Sequence, residues 1–204
     1  MIGCVGDQFL PGVRESIAAA VDRVRSFEAV ELCEVRVQPP ITVLPFFGLA
    51  TMRNRLVLEA ERDWFTHLIL LDNDVVVYAD AIGAMLAAGK PLVVPRYARA
   101  FEPSAHLLEP PEASAGWVKW AVFSCLLFDL NACAALLPRP FVDTLSFCEE
   151  ETTFACWDYL DVRPWLAYDA LVKLLRPPTN LWELKAEELF RIKTPGDVPR
   201  ESIQ

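Results

Sequence analysis

The 204-residue sequence lacks several features that define common classes of protein. No apolar run reaches the ~18 residues that a membrane-spanning helix needs, and the first residues show no basic stretch followed by an apolar signal core. Six cysteines are present, but without a C-x-x-C pair or a zinc-type spacing. We therefore expect a cytoplasmic protein without a transmembrane segment, in which five or more cysteines are small core residues.

Positive charge is also scarce, because 28 acidic side chains outnumber 19 basic ones and give a formal net charge of −9. Such a balance repels nucleic acid, and no basic cluster interleaved with aromatic residues offsets it. We therefore expect no nucleic-acid partner. An anionic small substrate would need local arginine or lysine side chains, or a bridging cation.

The chain does contain a large apolar fraction, 53%, which predicts a substantial core. Strand-like and helical segments alternate in the first half, which is typical of an α/β fold with a parallel sheet covered by helices on both faces. The proline-rich stretch 99–116 is predicted to be a long functional loop. The predicted strands are 2–5, 29–37, 68–72, 91–95 and 117–128, and the predicted helices are 12–26, 50–63, 80–88, 130–137 and 150–160.

The most informative segment places Asp72 and Asp74 inside an otherwise apolar run, 68–77. Four apolar residues before Asp72 are typical of a buried strand in a parallel sheet. The two carboxylates therefore fall at the carboxyl edge of the sheet, where open α/β folds bind ligands. Hard oxygen ligands suit Mg²⁺ or Mn²⁺ holding the phosphates of a substrate. Alternatively, both acids cap the following turn, although acids beside a buried strand are costly without a partner.

Other motifs accompany this segment in a defined order. Arg53-Asn54 lies in the predicted helix before the strand, and the segments after it are 89–94, 121–127 and an acidic group, 149–151, that leads into 152–156. In this order the residues resemble a small glycosyltransferase of the GT-A fold, over about residues 50–176. The resemblance implies a single-domain, Rossmann-like GT-A fold over 1–176, with a mostly parallel sheet flanked by helices. We expect residues 177–204 to form a helical extension and a tail.

The resemblance also implies an activity, the transfer of a sugar from a nucleotide-diphosphate donor to an unidentified glycan, lipid or protein acceptor. Asp74, helped by Asp72, would hold Mn²⁺ or Mg²⁺ against the diphosphate. In inverting members of the family a carboxylate deprotonates the acceptor hydroxyl, a role that falls first to Glu151 and second to Glu150. The implied nucleotide-sugar-binding residues are Arg53, Asn54, Asp72 and Arg176, to which the position of Tyr97 after a strand adds a further candidate.

The sequence departs from the family pattern in three ways. Val122 and Ser124 stand where relatives have glycines near the sugar, and Arg176 stands where many relatives supply a late histidine ligand. The acidic pair is Glu-Glu rather than Glu-Asp. Two alternatives stay open: a catalytically degenerate nucleotide-sugar-binding protein, and a phosphatase of the haloacid-dehalogenase type, in which the first Asp of a D-x-D motif is the nucleophile. The apolar composition also leaves a homodimer open.

Overall fold

The computed structural model describes residues 1–6, 8–39, 48–97, 106–109, 116–142 and 149–175. Within these ranges, nine strands form one sheet flanked by four α-helices. The strands are β1 (Ile2–Val5), β2 (Val35–Gln38), β3 (His67–Asp72), β4 (Val75–Val77), β5 (Leu92–Tyr97), β6 (His106–Glu109), β7 (Gly116–Ala121), β8 (Cys125–Asp129) and β9 (Trp165–Leu174). The helices are α1 (Val13–Arg25), α2 (Leu49–Arg62), α3 (Ala81–Ala87) and α4 (Glu149–Tyr159), with a 3₁₀ helix at Ala134–Leu136.

The strand order is β2-β1-β3-β8-β5-β9-β7-β6, and β4 pairs with β9. β1 is parallel to β2 and β3, and β5 is parallel to β9. In contrast, β8 is antiparallel to both of its neighbours, β3 and β5. The predicted α/β class with a helix-flanked sheet is confirmed, but the strand directions are mixed. Because β8 reverses the direction between them, β3 and β5 point the same way and their carboxyl ends share one edge.

Burial of both faces of β3 explains why the apolar run 68–71 is continuous. Successive strand residues point to opposite faces of a sheet, and both faces are covered here. Leu68 and Leu70 belong to the core cluster that contains the inner side of α2, whereas Ile69 and Leu71 belong to the cluster that contains α1 and α3. Because residues 68–71 have apolar contacts on both faces of the sheet, a polar side chain at any of them would be buried in the core. The first polar residue, Asp72, comes where the strand ends.

Four predicted elements differ from the observed ones. Of the predicted strand 29–37, only residues 35–37 belong to β2, and residues 29–34 are a turn followed by irregular chain. The apolar stretch 117–128 is two strands, β7 and β8, joined by a turn that contains Phe123 and Ser124. Both turn residues are buried, so no exposed polar residue marked the break. The predicted loop 99–116 contains β6, which pairs with β7, and the helix predicted at 130–137 is a turn followed by the 3₁₀ helix. The predicted extension at 177–204 lies outside the described residues.

The cysteines are free thiols in the described ranges, which hold no helix both long and apolar enough to cross a membrane. Cys4, Cys33, Cys125 and Cys133 are buried, as expected of small core residues. Cys156 is exposed instead, and Cys148 lies outside the described residues. Four cysteines therefore meet the expectation of five or more core cysteines, and Cys148, outside the described residues, would have to be the fifth.

Alkaline pH is expected to destabilise the fold through these buried thiols. Burial raises the pKa of Cys4 and of Cys133 from 9.0 to about 12, with smaller contributions from the charges of Asp72 and Asp129. Each folded thiol keeps its proton where the unfolded chain loses it, so this stabilising contribution is complete below about pH 9 and is lost as the pH rises toward 12. Melting temperatures measured from pH 7 to 11 should fall above about pH 9. Cys4→Val should reduce this fall in melting temperature. Equal slopes of melting temperature against pH for the variant and the wild type would contradict the role assigned to the Cys4 thiol.

Candidate functional site

Four strand ends meet at one edge of the sheet. Asp72, the last residue of β3, lies opposite Val5, the last residue of β1. Tyr97 ends β5, and Cys125 begins the antiparallel strand β8. Because these strands are neighbours or share a neighbour, their ends bring together chain segments that are distant in sequence. This is the carboxyl edge at which the sequence predicts a ligand site.

A buried ion pair holds the first carboxylate of the edge. Nη2 of Arg53, on α2, lies 2.9 Å from Oδ1 of Asp72, and the two side chains are 2% and 24% exposed. The guanidinium carbon lies 5.8 Å from the ring centres of both Phe123 and Phe141, a distance at which aromatic rings attract a cation. The second carboxylate oxygen of Asp72 has no hydrogen-bond partner among the described residues. Asp72 is therefore oriented through one oxygen at the rim of the sheet.

The turn that follows, between β3 and β4, is held on both sides by hydrogen bonds of its backbone and of the Asn73 side chain. Asn73 donates from Nδ2 to the carbonyl of Gln8 at 2.7 Å, and the N–H of Leu10 donates to the carbonyl of Asn73 at 3.1 Å. On the other side, the N–H of Leu175 donates to the carbonyl of Asp74 at 2.9 Å. Arg176 directly follows Leu175 in the chain, and it lies outside the described residues. The two acids thus belong to a turn with a fixed backbone.

Gly6 allows the end of β1 to approach this turn closely. Its φ is +91°, a value that side-chain-bearing residues rarely adopt, and a Cβ there would lie 2.9 Å from Nδ2 of Asn73. Any other residue would therefore have to adopt a rarely populated backbone conformation and displace the Asn73 side chain, which binds the carbonyl of Gln8. The sequence signal that could have found this role is a glycine placed directly after a predicted strand.

Tyr97 and Ser124 support the edge from the β8 side. The N–H of Cys125 donates to the hydroxyl oxygen of Tyr97 at 3.1 Å, and the N–H of Asp72 donates to the carbonyl of Ser124 at 2.9 Å. Burial raises the pKa of Tyr97 well above its ordinary value, so the phenol stays protonated. These contacts make Tyr97 part of the buried frame, and its predicted contact with a nucleotide sugar stays a prediction.

Asn54, the neighbour of Arg53 on α2, is engaged with a distant segment. Its Nδ2 donates to the carbonyl of Phe141 at 2.8 Å, and the N–H of Phe141 donates to its Oδ1 at 3.0 Å. Both polar atoms of the side chain therefore bind the backbone of one residue. The predicted contact of Asn54 with the nucleotide sugar stays a prediction.

Glu150 and Glu151 lie in the first turn of α4, and their side chains lie outside the described part of the structure. In the same helix, Oγ1 of Thr153 accepts a hydrogen bond from the N–H of Val142 at 3.1 Å. Val142 follows Phe141, whose ring packs against the Arg53 guanidinium. The N-terminal part of α4 is thus linked to the buried ion pair through two contacts, and the roles of Glu150 and Glu151 stay predictions.

Asp72 and Asp74 supply the carboxylate oxygens that Mg²⁺ and Mn²⁺ prefer. No cluster of three or more His, Cys, Asp or Glu side chains suited to a metal occurs in the described ranges. Mg²⁺ bound with a nucleotide is commonly held by only one or two carboxylates, with substrate phosphates and water completing the shell. The residues present therefore fit a cation that binds together with a diphosphate better than one that binds alone.

A comparison with solved structures finds the same arrangement of elements in A197 from STIV. The TM-score is 0.55 at 13% sequence identity, and the match covers 81% of this chain and 80% of that protein. The two proteins share a fold. At this level of identity, the similarity extends to the fold alone.

Two further solved structures match with lower scores. One is a glycosyltransferase involved in the glycosylation of the major capsid of PBCV-1, with a TM-score of 0.44 and 11% identity over 93% of this chain and 98% of that one. The other is mannose-1-phosphate geranyltransferase from Thermus thermophilus, with a TM-score of 0.43 and 16% identity over 81% and 73%. Scores below 0.5 support no inference about this chain. No protein-family profile and no curated protein matches the sequence.

Several residues of the site were not predicted from the sequence. Phe123 and Phe141 pack against Arg53, and Ser124 binds the backbone of Asp72 through its carbonyl. Each of these contacts joins positions more than 50 residues apart in the chain. An apolar side chain or a backbone carbonyl carries no local signal for such a role, so only the fold identifies it.

Proposed function

We propose that this protein is a glycosyltransferase that uses Mn²⁺ or Mg²⁺ to move a sugar from a nucleotide-diphosphate donor to an acceptor. The observation that carries the proposal is the turn Asp72-Asn73-Asp74 at the carboxyl end of a buried strand, with Asp72 paired to Arg53. A buried ion pair is costly to desolvate and adds little net stability compared with apolar residues of the same size. Its presence at the edge where the donor is proposed to bind therefore favours a role in orienting Asp72.

Each residue has a defined part in the proposed reaction. Asp74 and Asp72 would hold the cation and Arg53 would fix the orientation of the Asp72 carboxylate. When bound, the cation would neutralise the charge that develops on the departing diphosphate. Glu151, or Glu150 as the second candidate, would accept the proton of the acceptor hydroxyl as the bond to the sugar forms.

The other predicted residues complete the donor site of this proposal. Arg176 would contact the diphosphate, which its position after Leu175 favours because the Leu175 N–H binds the carbonyl of Asp74. A guanidinium matches the geometry of phosphate oxygens well. Tyr97 would lie at the edge of the donor site, and Asn54 would support that edge from α2 through its two hydrogen bonds with Phe141. The acceptor, whether glycan, lipid or protein, is not defined by these residues.

The experiment that tests the proposal measures thermal stability with Mn²⁺, with a panel of nucleoside diphosphates, and with both together. We expect one nucleoside diphosphate to raise the melting temperature by several degrees only when Mn²⁺ is present, because the cation and the diphosphate complete each other's binding site. Slow hydrolysis of the corresponding nucleotide sugar should then identify an active transferase.

The other outcomes of this experiment separate the alternatives. Metal-dependent stabilisation without any donor hydrolysis or transfer would indicate a degenerate binding protein. Release of phosphate from an aryl phosphate would indicate a phosphatase instead. No stabilisation by any metal and nucleoside diphosphate pair would contradict the proposed function.

A further inference from the structure

Three side chains from two helices bind one short segment, Pro140–Val142, which precedes α4 in the chain by six residues. Asn54 of α2 binds both the N–H and the carbonyl of Phe141, at 3.0 and 2.8 Å. Oγ1 of Thr153 accepts from the N–H of Val142 at 3.1 Å, and Nε1 of Trp157 donates to the carbonyl of Pro140 at 2.8 Å. We call these contacts the 140–142 clamp.

Most of the clamp is buried, and its residues Asn54 and Val142 are half-buried. Thr153, Trp157 and Phe141 are all almost fully buried, and the Trp157 ring packs edge-on against that of Phe141 at 5.8 Å. The four backbone groups bound in the clamp all have partners, and leaving one of them unsatisfied would cost about 1–3 kcal/mol. The segment therefore has one defined position relative to α2 and α4.

Adjacent residues of α2 serve two different parts of the site. Arg53 binds the carboxylate of Asp72 at the edge of the sheet, while Asn54 binds the segment that leads to Glu150 and Glu151. Since neighbouring residues of a helix are held rigidly to each other, α2 fixes the distance between the carboxylate edge and the start of α4. An asparagine suits this task because its amide offers a donor and an acceptor side by side, which match the carbonyl and N–H of one residue.

We propose that Asn54 is a positioning residue, which sets the acidic start of α4 against the carboxylate edge and does not itself touch the donor. This inference rests on the proposed function. It replaces the role in nucleotide-sugar binding that the sequence resemblance implies for Asn54. The inference also predicts that Thr153, which binds the same segment from α4, has the same positioning role as Asn54.

The test compares Asn54→Asp with the wild type in Mn²⁺-dependent donor turnover and in binding of the nucleoside diphosphate. Aspartate cannot donate to the Phe141 carbonyl and places a negative charge beside it. We expect kcat to fall about 10–100-fold, because a displacement of about 1 Å in a catalytic group can cost that much. KM for the donor and Kd for the nucleoside diphosphate should stay within about twofold, and the pH dependence of kcat should shift as the base changes its surroundings.

Two further variants separate positioning from general loss of structure. Thr153→Val removes the acceptor for the Val142 N–H and should show the same fall in kcat with unchanged KM, whereas Thr153→Ser keeps a hydroxyl and should restore most of the activity. Asn131→Asp makes the same chemical change as Asn54→Asp on an exposed turn and should behave as the wild type. If the clamp had only a structural role, Asn54→Asp and Thr153→Val would lower the melting temperature. The pH dependence of kcat would then stay as in the wild type, and kcat would not fall while KM stayed constant.

Different results would overturn the inference and the proposed function. If Asn54→Asp weakens nucleoside diphosphate binding tenfold or more while Thr153→Val leaves turnover unchanged, then Asn54 contacts the donor and the inference is wrong. Unchanged kcat in Asn54→Asp would also overturn it, with the proposed function intact. If the wild-type protein neither binds nor turns over any donor, the proposed function fails and the inference fails with it.

Discussion

Asp72→Ala is expected to lower the free energy of unfolding by about 3 kcal/mol, at the lower end of the range for breaking a buried ion pair. The substitution removes the carboxylate that lies against the Arg53 guanidinium, a side chain that is 2% exposed. The aromatic rings of Phe123 and Phe141 beside it attract a cation but do not replace a carboxylate as hydrogen-bond acceptor. Denaturant unfolding of the variant and the wild type, at equal m-values, would measure this difference.

A matched control comes from an ion pair of similar length on the surface. Nε of Arg23 lies 2.7 Å from Oδ1 of Asp80, and these side chains are 51% and 79% exposed. Because solvent screens this pair, Asp80→Ala should change the free energy of unfolding by less than about 1 kcal/mol. If Asp72→Ala and Asp80→Ala have equal effects, the Asp72 carboxylate does not compensate the buried charge of Arg53 in the way that the geometry indicates.

Asp74→Ala is expected to abolish the Mn²⁺-dependent stabilisation by a nucleoside diphosphate while leaving the fold intact. The backbone bond between the Asp74 carbonyl and the Leu175 N–H does not need the side chain. The carboxylate, in contrast, is the first of the two proposed ligands to the cation. At a ligand concentration of 100 times Kd, the wild type should gain about 2.7 kcal/mol, and the variant should gain nothing.

Melting temperatures with and without Mn²⁺ and the nucleoside diphosphate would check this prediction. The Asp80→Ala variant serves again as the control, because it removes one exposed carboxylate elsewhere and should retain the full ligand-dependent shift. Asp74→Glu should give an intermediate shift, since it keeps the carboxylate but moves it by one methylene. Binding of the metal and nucleoside diphosphate to Asp74→Ala with unchanged affinity would contradict the assigned metal site.

Helices and buried strands were predicted well where the local pattern was strong. The helix expected at 12–26 is α1 (Val13–Arg25), and the strand expected at 68–72 is β3 (His67–Asp72). Helical spacing of apolar residues and an unbroken apolar run are properties of the segment itself. The break between β7 and β8 was missed because Phe123 and Ser124 are buried in the turn, where no glycine, proline or charged residue marks a change of direction.

The partners of the site residues could not be predicted, because they lie far apart in the chain. The sequence placed Arg53, Asn54 and Asp72 together in one site but assigned all three to the donor. The fold pairs Arg53 with Asp72, 19 residues away, and Asn54 with Phe141, 87 residues away. Periodicity says which face of an element is buried, but it does not say which distant side chain meets it there.

The sequence by itself determined that Asp72 and Asp74 follow a buried strand, since only a polar residue at the strand end can escape an otherwise apolar core. It also determined the α/β class, through the alternation of strand and helix patterns. Only the tertiary structure decided that β8 runs against its neighbours, that Arg53 is buried against Asp72, and that Asn54 holds the segment before α4. These depend on which surfaces pack together, because a buried charge or amide is stable only where the fold supplies its partner.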